Sequence, residues 1–320
     1  MSQRRNSSPG ARRRLDRLAA LRSDAGRQAS FAAEIVADDS AGIEELTAAL
    51  PVLAAHPRHE AREAIAARLD VLLLAGRKRD AGGFVRAALC RALTPVALAE
   101  DAARFAAACL VYEPTAFDRG APAVLRAAGV AALSAAEPGL AAVHAVRLLG
   151  EADPMSGEPA LTAANVLAAI DEMLPLYQLL LGGGHEAPEV TAAAMRGVAS
   201  LPPGLLLELA RSFADARDTT VQLGLCDLYL DARAAPTLAS EAEAFLRQPP
   251  GGEIYRYLVA GVVASRQAAL GSALARAAMD ELDPARLAVL AELLPLGPVT
   301  EDTRAALAQV GKRLAGRRKA

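Results

Sequence analysis

Residues 138–170 read PGLAAVHAVRLLGEADPMSGEPALTAANVLAAI. Pro138 opens a run of small and aliphatic residues that lasts to Leu149, a break rich in Gly, Pro, Ser and acids follows, and Pro159 opens a second run that lasts to Ile170. Proline suits the first turn of a helix, where its missing N–H needs no partner, so each proline is a start signal. Neither run alternates apolar and polar residues as a half-buried strand does. The stretch predicts helix, short break, helix.

The same rhythm continues in both directions. Helices are expected at 58–74, 95–110, 121–135, 188–199, 236–246 and 284–293, within a total of about sixteen. The chain has 320 residues, of which 77 are Ala and 48 Leu, together 39%, against 3% aromatic, no Trp and five Ile. Such a composition favours helices packed on helices. No run rich in Val, Ile, Thr and aromatics is bounded by turn signals, which argues against β-sandwich and parallel α/β folds. Hydrophobic residues make up 53% and charged residues 22%, enough apolar surface to exclude global disorder.

Pro51, Pro95, Pro138, Pro188, Pro236 and Pro284 follow one another at 44, 43, 50, 48 and 48 residues. That spacing lies near the period of about 40 to 47 residues of HEAT and armadillo units. Leu140, Val190 and Leu238 share an offset after their prolines, whereas Arg286 departs from it. The segment Ala145-Val146-Arg147-Leu148-Leu149-Gly150-Glu151-Ala152-Asp153-Pro154 resembles the end of a HEAT-repeat helix, with Asp-Pro before the next one, and Glu137-Pro138 and Asp283-Pro284-Ala285-Arg286 resemble repeat openings. The resemblance, over residues 30–310, implies an all-α, right-handed α-solenoid of stacked antiparallel helix pairs. It implies an interaction surface and supplies no catalytic residue. Phe31, Phe84, Phe105, Phe213 and Phe245 are expected as core anchors.

The net charge of −2 conceals a partition. Residues 1–30 carry +6, residues 309–320 carry +5, and the body between them carries −13. Residues 1–14 are expected to form a basic disordered arm, 15–311 the helical-repeat domain and 312–320 a basic tail. Basic ends attract nucleic acid, anionic membranes or acidic proteins, and Arg near a helix C-terminus also favours the helix dipole. Arg12, Arg13, Arg14, Arg317, Arg318 and Lys319 are therefore candidate contacts. Tyr112, Phe117 and Arg119 are three more, because the stretch 111–120, VYEPTAFDRG, gathers aromatics and charges between Ala-rich helices, and aromatics and Arg tend to dominate interface energies. Folding of that loop onto the helix ends is the competing reading.

Motifs for chemistry are sparse. His59 and Glu63 lie one helical turn apart without an obvious third ligand, so no metal is expected. Gly182-Gly183-Gly184 follows an apolar helix rather than a strand and reads as a C-cap connector, not a phosphate cradle. No G-x-S-x-G occurs, and Cys90, Cys109 and Cys226 sit in apolar helical patterns where thiols are usually inert. No cofactor is expected. The longest uncharged stretches, 159–170 and 173–185, are too short to span a membrane, and the odd, scattered cysteines fit a reducing compartment, so the protein is expected to be cytoplasmic. The leading functional expectation is a non-catalytic scaffold for a protein partner. A nucleic-acid-associated protein is the alternative; a HEAT-like DNA glycosylase is disfavoured by the missing Trp and the acidic body.

Overall fold

The computed structural model describes residues 9–114, 120–151, 153, 155–249 and 251–317. Among them are eighteen α-helices and no β-strand. The chain divides into two compact units, residues 1–170 and 171–320.

The first unit holds α1 (Pro9–Ala20), α2 (Ala25–Ala37), α3 (Ile43–Ala55), α4 (Arg62–Ala75), α5 (Phe84–Leu93), α6 (Ala102–Cys109), α7 (Ala123–Ala136), α8 (Pro138–Leu148) and α9 (Ala160–Ala169). The helices that pack extensively are neighbours in the chain or are separated by one helix: α3 on α5, α5 on α7 and α7 on α9 form one row, and α2 on α4, α4 on α6 and α6 on α8 form another. Leu50, Leu53, Leu69, Leu89, Leu93, Phe105, Leu125 and Leu133 fill the space between the rows with no exposed surface.

The second unit holds α10 (Met173–Leu181), α11 (Pro188–Gly197), α12 (Pro203–Ser212), α13 (Thr219–Leu230), α14 (Ala235–Arg247), α15 (Gly252–Ser265), α16 (Ala268–Asp280), α17 (Pro284–Leu293) and α18 (Glu301–Arg317). Again two rows form, α11–α13–α15–α17 and α12–α14–α16–α18. Tyr229 and Phe245 meet edge to face across α13 and α14, their centroids 5.8 Å apart.

The starts of the helices give a period that the prolines do not. In the second unit α11, α13, α15 and α17 begin at 188, 219, 252 and 284, spacings of 31, 33 and 32, and α12, α14, α16 and α18 at spacings of 32, 33 and 33. In the first unit α2, α4, α6 and α8 begin 37, 40 and 36 residues apart. The proline spacing of 43 to 50 overshoots because Pro138, Pro188, Pro236 and Pro284 stand in the first turns of α8, α11, α14 and α17, every third helix rather than every second, while Pro51 lies inside α3 and Pro95 in a 3-10 turn before α6.

Two further expectations are corrected. Helix α1 starts at Pro9, so residues 9–14, assigned to a disordered arm, are helical; Arg14 pairs there with Asp38 and Glu45, which ties the helix to the body. Residues 1–8 lie outside the described residues. Phe84 is 67% exposed rather than a core anchor, whereas Phe31, Phe105, Phe213 and Phe245 are buried. The reason is register: Phe84 shares the outward stripe of α5 with Arg91, while Val85, Leu89 and Leu93 turn inward.

Small residues set the distance between helices within a row. A Cβ on Gly224 of α13 would lie 2.6 Å from the Ala192 Cα and 2.8 Å from its Cβ on α11, closer than backbone can yield without moving. Gly224→Ala is expected to lower the stability of the chain by about 1 to 3 kcal/mol in urea unfolding. Gly271→Ala, on α16 with nothing within 4 Å of the added methyl, should instead raise it by about 0.5 to 1 kcal/mol.

Candidate partner-binding face

The predicted aromatic loop is anchored by two buried arginines. Arg86, on α5, has no exposed surface and grips both sides of its surroundings: Nε donates to Asp80 Oδ2 at 3.1 Å, and Nη1 and Nη2 donate to the two Glu113 carboxylate oxygens at 2.7 and 2.8 Å. Arg126, on α7 and 1% exposed, donates from Nη1 to the Val111 carbonyl at 3.1 Å and from Nη2 to the Gly120 carbonyl at 2.6 Å, and lies 3.1 Å from Glu151 Oε2. A buried charge is tolerated only when paired and hydrogen-bonded, and both guanidiniums meet that condition with carboxylates and backbone carbonyls. Their charge is spent inside the fold.

Tyr112 belongs to the same network. Its ring lies 4.2 Å from the Arg126 guanidinium and 5.8 Å from that of Arg147, its hydroxyl donates to Glu151 Oε1, and it accepts from Arg147 Nη1 at 2.7 Å. Burial, then the hydrogen bond to Glu151, raise its pKa. Tyr112 thus fixes the exit of α6 to the end of α8. Phe117 and Arg119 lie outside the described residues, as do Arg318 and Lys319. Arg317 ends α18. Of the N-terminal arginines, Arg12 and Arg13 point to solvent, while Arg14 is held by its two acids.

Two clefts were examined for chemistry by their lining groups. One of about 560 Å³ in the first unit is lined by Arg77, Phe84, Glu113, Pro122 and Ser156 among others; Glu113 there is committed to Arg86. One of about 680 Å³ in the second unit holds His185, Glu186, Glu208, Ser212, Asp215 and Arg217. His185 Nδ1 accepts from the Ala187 N–H at 2.9 Å, and the Ser212 hydroxyl donates to the Leu209 carbonyl at 2.8 Å, so both are occupied locally. The predicted glycine connector is found: Gly182 caps α10, and Gly183 and Gly184 have φ of +93° and +92°. Cys90, Cys109 and Cys226 are free and buried, and burial pushes each thiol up to about 12. Among the described residues no group of three or more His, Cys, Asp or Glu could hold a metal ion.

The surface feature that the sequence reading missed is an apolar face on the row α4–α6–α8. The outward stripes carry Val71 (48% exposed) and Leu74 (91%) on α4, Ala103 and Ala107 with Leu110 (56%) on and just after α6, and Leu140, Val143 (66%) and Val146 on α8. The helices lie start to start and end to end. Arg62, first residue of α4, donates to Asp101 beside the start of α6, and Arg147 near the end of α8 donates to the carbonyl of Cys109, the last residue of α6. The stripes therefore run side by side. Helix α8 turns Ala141, His144, Ala145 and Leu148 inward and Leu140, Val143 and Val146 outward beside Arg147, so its outer face is largely aliphatic, which in a surface helix calls for a partner. On α2 the outward stripe is Arg27, Ser30 and Glu34, and the patch stops there. A run such as L-A-A-V-H-A-V, with bulky residues on both faces, was the available signal.

Removing Arg86 would leave Asp80 and Glu113 facing each other without a cation. Arg86→Met is expected to cost about 3 to 5 kcal/mol in denaturant unfolding, because a half-broken buried pair strands its partner. Hydrogen bonds from Arg86 hold the Glu113 carboxyl below its ordinary range. Its stabilisation is complete above the unfolded pKa of about 4.3 and is lost as the pH falls through the lower folded value. A Glu113→Gln chain should be less stable at neutral pH, and the difference from wild type should close as the pH drops below about 4.

No family model, no curated protein and no solved structure matches this chain.

Proposed function

We propose that the chain is a non-catalytic helical-repeat scaffold, a HEAT/armadillo-like solenoid of antiparallel helix pairs that binds a protein partner on the α4–α6–α8 face. The observation that carries this reading is that face: three aligned helices whose outward stripes are mainly aliphatic, crossed between α4 and α6 by the Asp70–Arg104 ion pair and bounded by the polar stripe of α2. Row packing between neighbours in the chain is the arrangement expected of repeat proteins, in which each unit contacts only the next. The helix-pair spacing of 31 to 33 residues in the second unit makes its units shorter than the HEAT period of about 40 to 47.

The nucleic-acid alternative rests on the basic ends; among the described residues Arg12 and Arg13 are exposed and make no ion pair. Each phosphate neutralised contributes about one unit to the log–log slope of affinity against salt, so the slope counts the basic residues engaged.

A photo-activatable phenylalanine analogue placed at Val143 of the full-length chain, in its native host, is expected to cross-link to protein, and Leu74→Asp is expected to abolish the adduct. The same analogue at exposed Glu253 on α15 is the control. An adduct yield at Val143 no greater than at Glu253 rules out this face as the binding site. Tail-dependent, salt-sensitive binding to duplex DNA or RNA with no protein adduct moves the assignment to the nucleic-acid reading.

A further inference from the structure

The α4–α6–α8 face is polarised along its helices. At the starts stand Glu63 in the first turn of α4, Glu100 before α6 and Glu137 at the N-cap of α8; at the ends stand Arg77, Lys78 and Arg79 after α4 and Arg147 on α8. Glu63, Glu137, Lys78 and Arg79 are exposed and make no ion pair among the described residues. Glu100 and Arg147 are paired with Arg62 and Glu151, so the polarity is carried by Glu63 and Glu137 at one edge and Lys78 and Arg79 at the other, with the mainly aliphatic strip between them; the three helices point the same way, so these charges do not cancel. Acids at helix starts and bases at helix ends also complement the helix dipoles, which accounts for their sign but not for the aliphatic strip between them.

A surface with that order of charges is complementary to itself under a two-fold rotation about an axis lying in the plane of the face and perpendicular to the helices. The rotation lays each acidic rim on the other copy's basic rim and places aliphatic centre on aliphatic centre. Resting on the reading that this face binds protein, we infer that its occupant is a second copy of this chain, in an isologous two-fold dimer. A head-to-tail arrangement would leave one such face uncovered at each end; the two-fold one covers both.

Three helices about 8 to 10 Å apart and roughly 12 to 21 Å long offer a projected area of roughly 400 to 500 Å² per copy. Doubled for two copies this is about 800 to 1,000 Å², just under the roughly 1,200 Å² at which stable specific interfaces begin, so the dimer is expected to be weak and concentration-dependent.

The test is sedimentation equilibrium of the full chain from about 1 to about 200 µM, a range that brackets micromolar dissociation. The weight-average mass is expected to rise with concentration from 33.1 kDa toward twice that value. Two charge-reversed chains sharpen it, one carrying Lys78→Glu and Arg79→Glu, the other Glu63→Lys and Glu137→Lys, each checked for native helicity by circular dichroism. Each alone brings like charges together at the exchanged positions and should self-associate at least tenfold more weakly. Mixed, they should form a heterodimer, because every rim then meets its opposite. A wild-type chain that stays at 33.1 kDa throughout, or a mixture no more associated than its components, overturns the self-pairing. If Val143 still cross-links to a different protein, the self-pairing fails while the face keeps its role as a binding site; if no adduct forms, both readings fail.

Discussion

Each helix of an alanine-rich chain has too little apolar surface to be stabilised by one neighbour. Alanine adds helix propensity at almost no side-chain entropy cost, yet buries little area, so stabilisation has to come from close approach on two sides at once. The rows meet that demand. Gly224 against Ala192 is a point within a row where backbone and a small side chain come together with no room for a methyl group, and Gly129 against Ala108 and Cys109, between α7 and α6, is nearly as tight. Everything else in the structure is arranged around that contact between helices next to each other in a row.

The polar chemistry follows from it. With rows this close, side chains that cross from one helix to the next have to be long and able to bridge, and of 35 basic residues only Lys78, Lys312 and Lys319 are lysine. Arg62 reaches Asp101, Arg104 reaches Asp70, Arg256 reaches Glu292 and Arg276 reaches Glu243. Partners in these pairs are 39, 34, 36 and 33 residues apart, which is the helix-pair repeat written in ion pairs. The guanidinium fork suits such bridges because it holds a carboxylate with two donors in fixed geometry. Where exposed, these pairs contribute little; their consequence is registry, since a row displaced by one turn would break them together. The network around Arg86 and Arg126 is the buried version, and it converts the exit of α6 from a loose loop into a fixed wall.

The outward stripe of α4–α6–α8 departs from the same economy. Leucine and valine face solvent there while α8 turns alanines inward, the reverse of what a solvated surface helix requires. Unit-two aliphatics that are strongly exposed, such as Leu174, Leu282 and Val299, sit at helix ends or between helices, so they do not form an equivalent strip.

Helical class was legible in the sequence, because alanine and leucine content and proline-opened runs act locally: the helix at Pro284–Leu293 lies where it was expected, and those at 121–135, 138–149 and 188–199 shift by two residues or fewer at either end. The spacing of the helices was not legible in the prolines. Pro138, Pro188, Pro236 and Pro284 mark every third helix, whereas alternate helices of the second unit start 31 to 33 residues apart and are held by small residues and arginine pairs with no local signature. The loop at Tyr112 was found by its composition, but whether its tyrosine is offered or held depends on Arg126, Arg147 and Glu151, up to 39 residues away. The apolar face was hidden for a related reason. In a chain that is 53% hydrophobic, which side of a helix faces its neighbours is set by the packing of the rows, since a helix with aliphatic residues on both faces has no preferred inner face of its own. Local propensity thus determined that the chain is helical, and only tertiary contact decided which leucines and valines remain in water.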